Sequence, residues 1–334
     1  MAELLPTHTP ELFDSAVRRA AAALREGELV VLPTETVYGL AANALDAGAV
    51  ARIFEAKGRP AHNPIIVHVT GLEMARRCAS LWPDDAQKLG AAFWPGPLTL
   101  VVPSAKDIPA IVTAGGPTVG IRWPSHPFIQ AVIRACGFPL AAPSANRSGE
   151  ISPTTAAHAQ SSLGGAVSVI VDGGQCHFGI ESTVVDVIER PARLLRPGMI
   201  QAGAVAAVLG QKGLLRGSGG AVLRSPGLLR KHYAPKARLV VLSWKDESDL
   251  AAQTAQIPAP LADIHVIAHT HIPLGEKFGR VAVMPHDAEA FARALYAEMR
   301  QCDASEAKWI IVEAPPEDPA WQGIADRLSR ASSE

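Results

Sequence analysis

The stretch from Pro33 to Val69 constrains this chain more than any other. It reads P-T-E-T-V-Y-G-L, then an alanine-rich run, then A-K-G-R-P-A-H-N-P, then I-I-V-H-V. The apolar runs Leu29–Leu32 and Ile65–Val69 bracket it and predict short buried strands. Val50, Ile53 and Phe54 recur at helical spacing and predict a helix that ends before Gly58 and Pro60. Lys57 and Arg59 then fall at the C-terminal end of that helix, where cations are favourable. Two cations in a loop punctuated by Gly and Pro are also what an anion site requires. Both readings stand at this point. Thr34 and Thr36 read either as caps of the following helix or as hydroxyls of a site.

The chain has 334 residues, which suits two domains better than one. Hydrophobic residues make up 48%, enough for a sizeable core. Thirty-one basic and 32 acidic residues leave a net charge of -1, which speaks against a dedicated nucleic-acid or polyanion binder. Cation clusters in so balanced a chain point to a small anionic ligand. Cys78, Cys136, Cys176 and Cys302 are widely spaced and form no C-x-x-C pair, so no structural zinc site and a reducing, cytosolic compartment are expected. The opening M-A-E-L-L-P-T-H has no basic segment or long apolar run, so no secretory signal is expected. No apolar run approaches ~18 residues, so no transmembrane helix is expected.

Taken in order, residues 11–26 predict an amphipathic helix, with further helices over Glu73–Leu81, Asp84–Phe93 and His126–Ala135. Strands are predicted at Leu98–Val102, Val119–Arg122, Leu140–Ala142, Val167–Val171 and Ser182–Val187. Ser152 followed by Pro153 predicts a helix start, with Ser152 as its cap. Ile200–Leu209 reads as a last helix. Strands and helices alternate without a simple repeat, which is an α/β pattern with a mixed sheet. Glycines, prolines and basic residues then crowd residues 211–236, the best linker candidate. Beyond it, strands at Leu239–Leu242, His265–Ala268, Arg280–Met284 and Trp309–Val312 alternate with helices at Glu247–Gln256, Ala288–Met299 and Ala320–Arg330. They predict a small parallel α/β domain with no G-x-G-x-x-G fingerprint.

No H-E-x-x-H, G-x-S-x-G or P-loop motif occurs. Polar clusters instead gather at predicted strand ends, where α/β folds build their sites. They are Thr34/Glu35/Thr36/Tyr38, Lys57/Arg59/Asn63, His68, Arg122, Ser144/Asn146, Ser182/Thr183 and Arg196. His68 reads as a hydrogen-bonded core histidine or as a site residue. Arg122, inside a short apolar strand, needs a carboxylate or phosphate partner if it is buried.

Seven motifs occur together in one order: P-T-E-T-V-Y-G-L, A-K-G-R-P with N-P-I-I-V-H, W-P-G-P-L-T, V-x-I-R-x-P, A-P-S-A-N, E-S-T-V-V-D and L-L-R-P-G. The set resembles the YrdC-type threonylcarbamoyl-AMP synthases. S-P-G-x-x-x-x-H-Y-A-P followed by an α/β unit resembles the linker and extra domain of their long form. The resemblance implies a YrdC-like twisted mixed sheet with flanking helices over residues 1–212, a linker or lid over 213–236, and a smaller Rossmann-like α/β domain over 237–334. It implies that L-threonine, bicarbonate and ATP give L-threonylcarbamoyladenylate and pyrophosphate. A separate transferase then modifies the adenosine next to the anticodon, so no stable grip on nucleic acid is required, and no membrane.

By the same resemblance Thr36, His68, Arg122, the Ala142 backbone and Ser182 hold threonine. Lys57, Arg59, Asn63, Thr118, Ser144, Ser152, Arg196 and Tyr233 surround ATP, with Lys57 and Arg59 as the catalytic candidates. Mg²⁺ is expected on the ATP phosphates and no protein metal site is expected. Leu228-Leu229-Arg230 stands where relatives often carry Met and a cation first. An RNA-binding module with the same basic concave face is the main alternative, disfavoured by the neutral charge and 5% aromatic content. A hydrogenase-maturation carbamoyl-transfer subunit is a second, but it should carry cysteine-paired zinc motifs. If the linker is a lid over a water-sensitive anhydride, removing residues 213–334 raises product hydrolysis or cuts turnover; unchanged kinetics would discard the lid.

Overall fold

The computed structural model describes residues 2–216, 232–274 and 277–333. Residues 217–231 of the expected linker, Leu228-Leu229-Arg230 among them, lie outside the described residues. The described residues divide into two units: 2–148, 152–177 and 181–216 in one, and 149–151, 178–180, 232–274 and 277–333 in the other.

The first unit begins with β1 (Glu3–Pro6) and α1 (Pro10–Arg25). The Thr9 hydroxyl accepts the Leu12 amide at 3.3 Å and Pro10 fills the first helical position, so the chain enters α1 sharply. β2 (Val30–Leu32) and β3 (Gly39–Asn43) are antiparallel and are joined by the 33–38 turn. α2 (Ala47–Lys57) starts on Asp46, whose carboxylate accepts the amides of Gly48 and Ala49. It stops at Gly58, whose φ of 60° only a residue without Cβ adopts at no cost. That turn fixes where Lys57 and Arg59 point.

β4 (Ile66–His68), α3 (Leu72–Arg77), α4 (Asp84–Phe93), β5 (Leu98–Pro103), β6 (Thr118–Arg122), α5 (Pro127–Cys136) and β7 (Leu140–Ala141) follow. The unit closes with α6 (Ala156–Leu163), β8 (Val169–Asp172), β9 (Thr183–Asp186), β10 (Arg193–Arg196), α7 (Ala202–Leu209) and β11 (Leu215–Arg216). Among the described residues the strands make one mixed sheet, in the order β1-β8-β2-β3-β7-β4-β6-β5-β9-β10-β11. Its core is aliphatic, and α1 meets α5 through Phe13 and Phe128, edge to face at 5.1 Å.

The second unit holds β12 (Arg238–Leu242), α8 (Glu247–Thr254), β13 (Ile264–Ala268), β14 (Arg280–Val283), α9 (Ala288–Ala304), β15 (Trp309–Glu313) and α10 (Gln322–Ala331). Its sheet is wholly parallel, in the order β12-β15-β13-β14. At the carboxyl ends of β13 and β15, the buried Glu313 carboxylate accepts the amides of His269, Thr270 and His271 at 2.7, 2.8 and 3.1 Å.

The α/β expectation holds in both units, with four local corrections. Gly39–Asn43, where no strand is expected, forms one because it pairs with β2 and β7. Thr34 and Thr36 therefore cap no helix; the Thr34 hydroxyl closes the 33–38 turn by accepting the amides of Thr36 and Val37. Ser152 is not a cap. Thr155 starts α6, while Ser152 Oγ donates to Glu181 at 2.5 Å and the Pro153 carbonyl accepts the Tyr38 amide. The helix expected to reach Leu81 ends at Arg77, since Ala79 forms a bridge with Ser104.

Gly198 packs against the start of β9, and a Cβ there would lie 2.5 Å from the Thr183 amide and 2.8 Å from the Glu181 carbonyl. Gly198→Ala is expected to cost about 1–3 kcal/mol in denaturant unfolding, because these are backbone atoms that cannot swing aside.

Candidate active site

Three strands set one row of polar groups. Cross-strand pairing places His68 on β4 and Thr99 on β5 directly beside Arg122 on β6. Residues so paired share a face of the sheet. Ser182, just before β9, extends the row: its hydroxyl meets the Thr99 hydroxyl at 2.8 Å. Arg196, at the end of β10, donates from Nε to the Ser182 carbonyl at 3.0 Å and from Nη2 to its hydroxyl at 3.1 Å. The 33–38 turn closes the other side. Arg122 Nη1 donates to Thr36 Oγ1 at 2.9 Å, and Nη2 lies 2.8 Å from Glu35 Oε1.

Arg122 and Glu35 are each only 4% exposed. Glu35 is thus the partner that a buried strand arginine demands. Burial by itself would raise the Glu35 pKa, but the Arg122 guanidinium outweighs it and holds the carboxyl below its ordinary range. The amides of Ser125 and Glu35 add to that field, though neither is aligned as a hydrogen-bond donor to the carboxylate. His68 is driven the other way. Burial, reinforced by Arg122, pushes its pKa down to about 3, so the ring is neutral, and its Nδ1 has no hydrogen-bond partner.

A second group forms around the end of α2. Lys57 Nζ donates to the Ser144 carbonyl at 2.5 Å and also to that of Asn146. Arg59 donates from Nε to the Asn63 carbonyl at 3.0 Å and from Nη2 to that of Pro64 at 2.6 Å. The Asn63 side chain is fully buried, yet neither its oxygen nor its nitrogen has a hydrogen-bond partner. A buried amide of this kind needs a ligand or water to satisfy it. The 143–146 loop is tied to the first group through β3: Leu40 donates to the Pro143 carbonyl and Ala145 to that of Tyr38. Ala142 joins through its amide, which donates to the Ile66 carbonyl at 3.2 Å.

The structure therefore assembles Thr36, His68, Arg122 and Ser182, with Arg196 beside them, and brings Lys57, Arg59, Asn63 and Ser144 together around α2. Ser152 lies on Glu181, the neighbour of Ser182. Thr118 starts β6, about 13 Å of extended strand from Arg122 and on the same face. Tyr233 belongs to the second unit, where its ring stacks on Tyr296 at 6.0 Å with the Arg327 guanidinium 5.3 Å from it. Thr99 and Glu181 are not among the expected site residues, and Glu35 is expected only as a member of the 34–38 cluster, with no role of its own. Thr99 and Glu35 had a visible signal, a polar group within or beside an apolar strand. Glu181 had none beyond its motif. Among the described residues, no group of three or more His, Cys, Asp or Glu could hold a metal ion, and no helix is long and apolar enough to cross a membrane.

Acid should loosen this site. Between pH 6.5 and about 3 the unfolded chain takes up a proton at His68 that the folded chain refuses, and Glu35 acts with the same sign below the ordinary carboxylate range. Stability is then full above about pH 6.5 and falls as pH drops. Denaturant unfolding of His68→Leu should show a shallower decline between about pH 6.5 and 4.5 than the parent chain.

Comparison with known proteins identifies the family. The Sua5/YciO/YrdC family model, described as "Telomere recombination", matches residues 22–198, and the model "Threonylcarbamoyl-AMP synthase, C-terminal domain" matches residues 199–333. The threonylcarbamoyl-AMP synthase of Pyrococcus abyssi is 38% identical over 95% of this chain and 94% of its own length. That of Bacillus subtilis is 39% identical over 96% and 93%. A crystal structure of P. abyssi Sua5 complexed with L-threonine matches at a TM-score of 0.89 and 36% identity, over 99% of this chain and 97% of that one. Escherichia coli YciO, at 22% identity and a TM-score of 0.55, shares the fold over 61% of this chain. The chain belongs to the Sua5/YciO/YrdC family, in the two-domain form of the threonylcarbamoyl-AMP synthases.

Proposed function

We propose that this chain makes L-threonylcarbamoyladenylate and pyrophosphate from L-threonine, bicarbonate and ATP. One observation carries the choice of a small-molecule enzyme over an RNA-binding surface. Arg122, Lys57, Arg59 and Arg196 are 4, 3, 9 and 3% exposed. A duplex or single strand is gripped by cations that reach out to its phosphates. Enclosed cations serve an anion that enters the fold.

The chemistry asks for holding and charge neutralisation more than for a nucleophile. The threonine amine adds to bicarbonate, forming the N–C bond and losing water. A carbamate oxygen then attacks the α-phosphorus, the bond to the β-phosphate oxygen breaks, and pyrophosphate departs. Thr36, His68, Arg122, the Ala142 backbone and Ser182 would hold threonine, with Arg122 on its carboxylate. Lys57, Arg59, Asn63, Thr118, Ser144, Ser152 and Arg196 would hold ATP, and the unsatisfied Asn63 amide supports that assignment. Mg²⁺ would ride on the phosphates and share their charge with Lys57 and Arg59. The mixed anhydride would pass to a separate transferase that modifies the adenosine beside the anticodon of tRNAs reading codons that begin with A.

Pyrophosphate release from ATP should require threonine and bicarbonate together, and omission of either should abolish it. Release without threonine would sink the assignment. Serine should turn over about tenfold less efficiently, the usual worth of one missing methyl. Lys57→Met should lower kcat about a hundredfold or more, as removal of one charge-stabilising donor commonly does.

A further inference from the structure

We infer that Glu35 sets the charge selectivity of the amino-acid site, so that the site takes a zwitterion and rejects a plain carboxylate. The inference rests on the placement of threonine at Arg122 proposed above. It begins from a sum over the enclosed groups. Arg122 contributes one positive charge and Glu35 one negative charge, 2.8 Å apart. Three more titratable groups feel Glu35. His68, on β4, is neutral because burial and Arg122 lower its pKa to about 3. His126, which caps α5, is lowered by burial as well. Cys176, after β8, is raised by burial and by Glu35, so its thiol keeps its proton. At neutral pH the charges of Arg122, Glu35 and the three groups around Glu35 therefore sum to zero before any ligand arrives.

A ligand entering an enclosed, neutral lining does so at least cost if it is neutral too. An α-amino acid fits that condition: its carboxylate approaches Arg122 and its ammonium cancels the added charge. A hydroxy acid of the same shape brings an uncompensated negative charge next to Glu35, and like charges in a desolvated site exclude one another. Glu35 also offers a suitable acceptor. Its Oε2 is buried and no donor meets it in hydrogen-bonding geometry, which an ammonium would correct. Glu35 thus does more than hold Arg122 in place.

The test uses the full chain and two ligands of one carbon skeleton, L-threonine and 2,3-dihydroxybutanoate, titrated calorimetrically at pH 7.5. The parent chain should bind threonine at least about a hundredfold more tightly than the hydroxy acid. Binding of both within tenfold overturns the inference without any variant. In Glu35→Gln, which keeps the shape and removes the charge, threonine should weaken about tenfold while the hydroxy acid tightens about tenfold. Equal weakening of both would mean that Glu35 merely props Arg122, and no change in either would remove it from recognition; each result overturns the inference. Should Glu35→Gln not fold, Glu35→Asp, which retains the charge, must keep the preference for threonine, and its loss there is equally fatal. A parent chain that binds no threonine at all would instead defeat the functional proposal.

Discussion

A guanidinium shut inside a sheet must find its counter-charge in the same enclosure, and much of the first unit is arranged around that need. Arg122 lies in the middle of the mixed sheet, on a strand flanked on both sides. None of its sheet neighbours is acidic. The carboxylate comes instead from the 33–38 turn, which the Thr34 hydroxyl folds tightly enough to deliver Glu35 and Thr36 together. The β2–β3 pairing fixes where the turn sits, and β3 in turn positions the 143–146 loop. Removing either charge alone would strand the other in a dry site, at a cost of about 3–5 kcal/mol.

The cations around α2 are held differently. Among the described residues, Lys57 and Arg59 donate to backbone carbonyls. Carbonyl dipoles orient a cation and hold it at a fixed place in the fold. The arrangement follows from sequence: an αL glycine turns the chain after Lys57, and the Asn63 and Pro64 carbonyls come round to Arg59.

Much of this was legible before any coordinates. The apolar runs beside Pro33–Val69 are β2 and β4, and the helix expected to end at Gly58 does so. Arg122 announced a buried partner simply by being an arginine in an apolar strand. Apart from the Thr34 turn, the failures share one cause, which is that contacts distant in sequence overrode local preference. Gly39–Asn43 has no strand pattern of its own, yet β2 and β7 claim it as a strand. Ser152 has every local mark of a helix cap, but Glu181 takes its hydroxyl and Thr155 does the capping. Thr34 looked like a cap because a turn that closes on itself uses the same hydroxyl-to-amide bond. That Glu35 would be the carboxylate facing Arg122 could not be read from spacing, since the two are 87 positions apart and meet only through strand order.

The second unit's sheet is wholly parallel, and in parallel α/β sheets ligands gather at the carboxyl ends of the strands. In such sheets a phosphate is received there by successive backbone amides. Here the amides of His269, Thr270 and His271 are satisfied by Glu313, an acid supplied from the adjoining strand. A tethered acid competes as though at very high concentration, and any free phosphate would have to evict it. Those three amides already have their acceptor inside the chain, so an anion arriving at this edge of the sheet finds them taken.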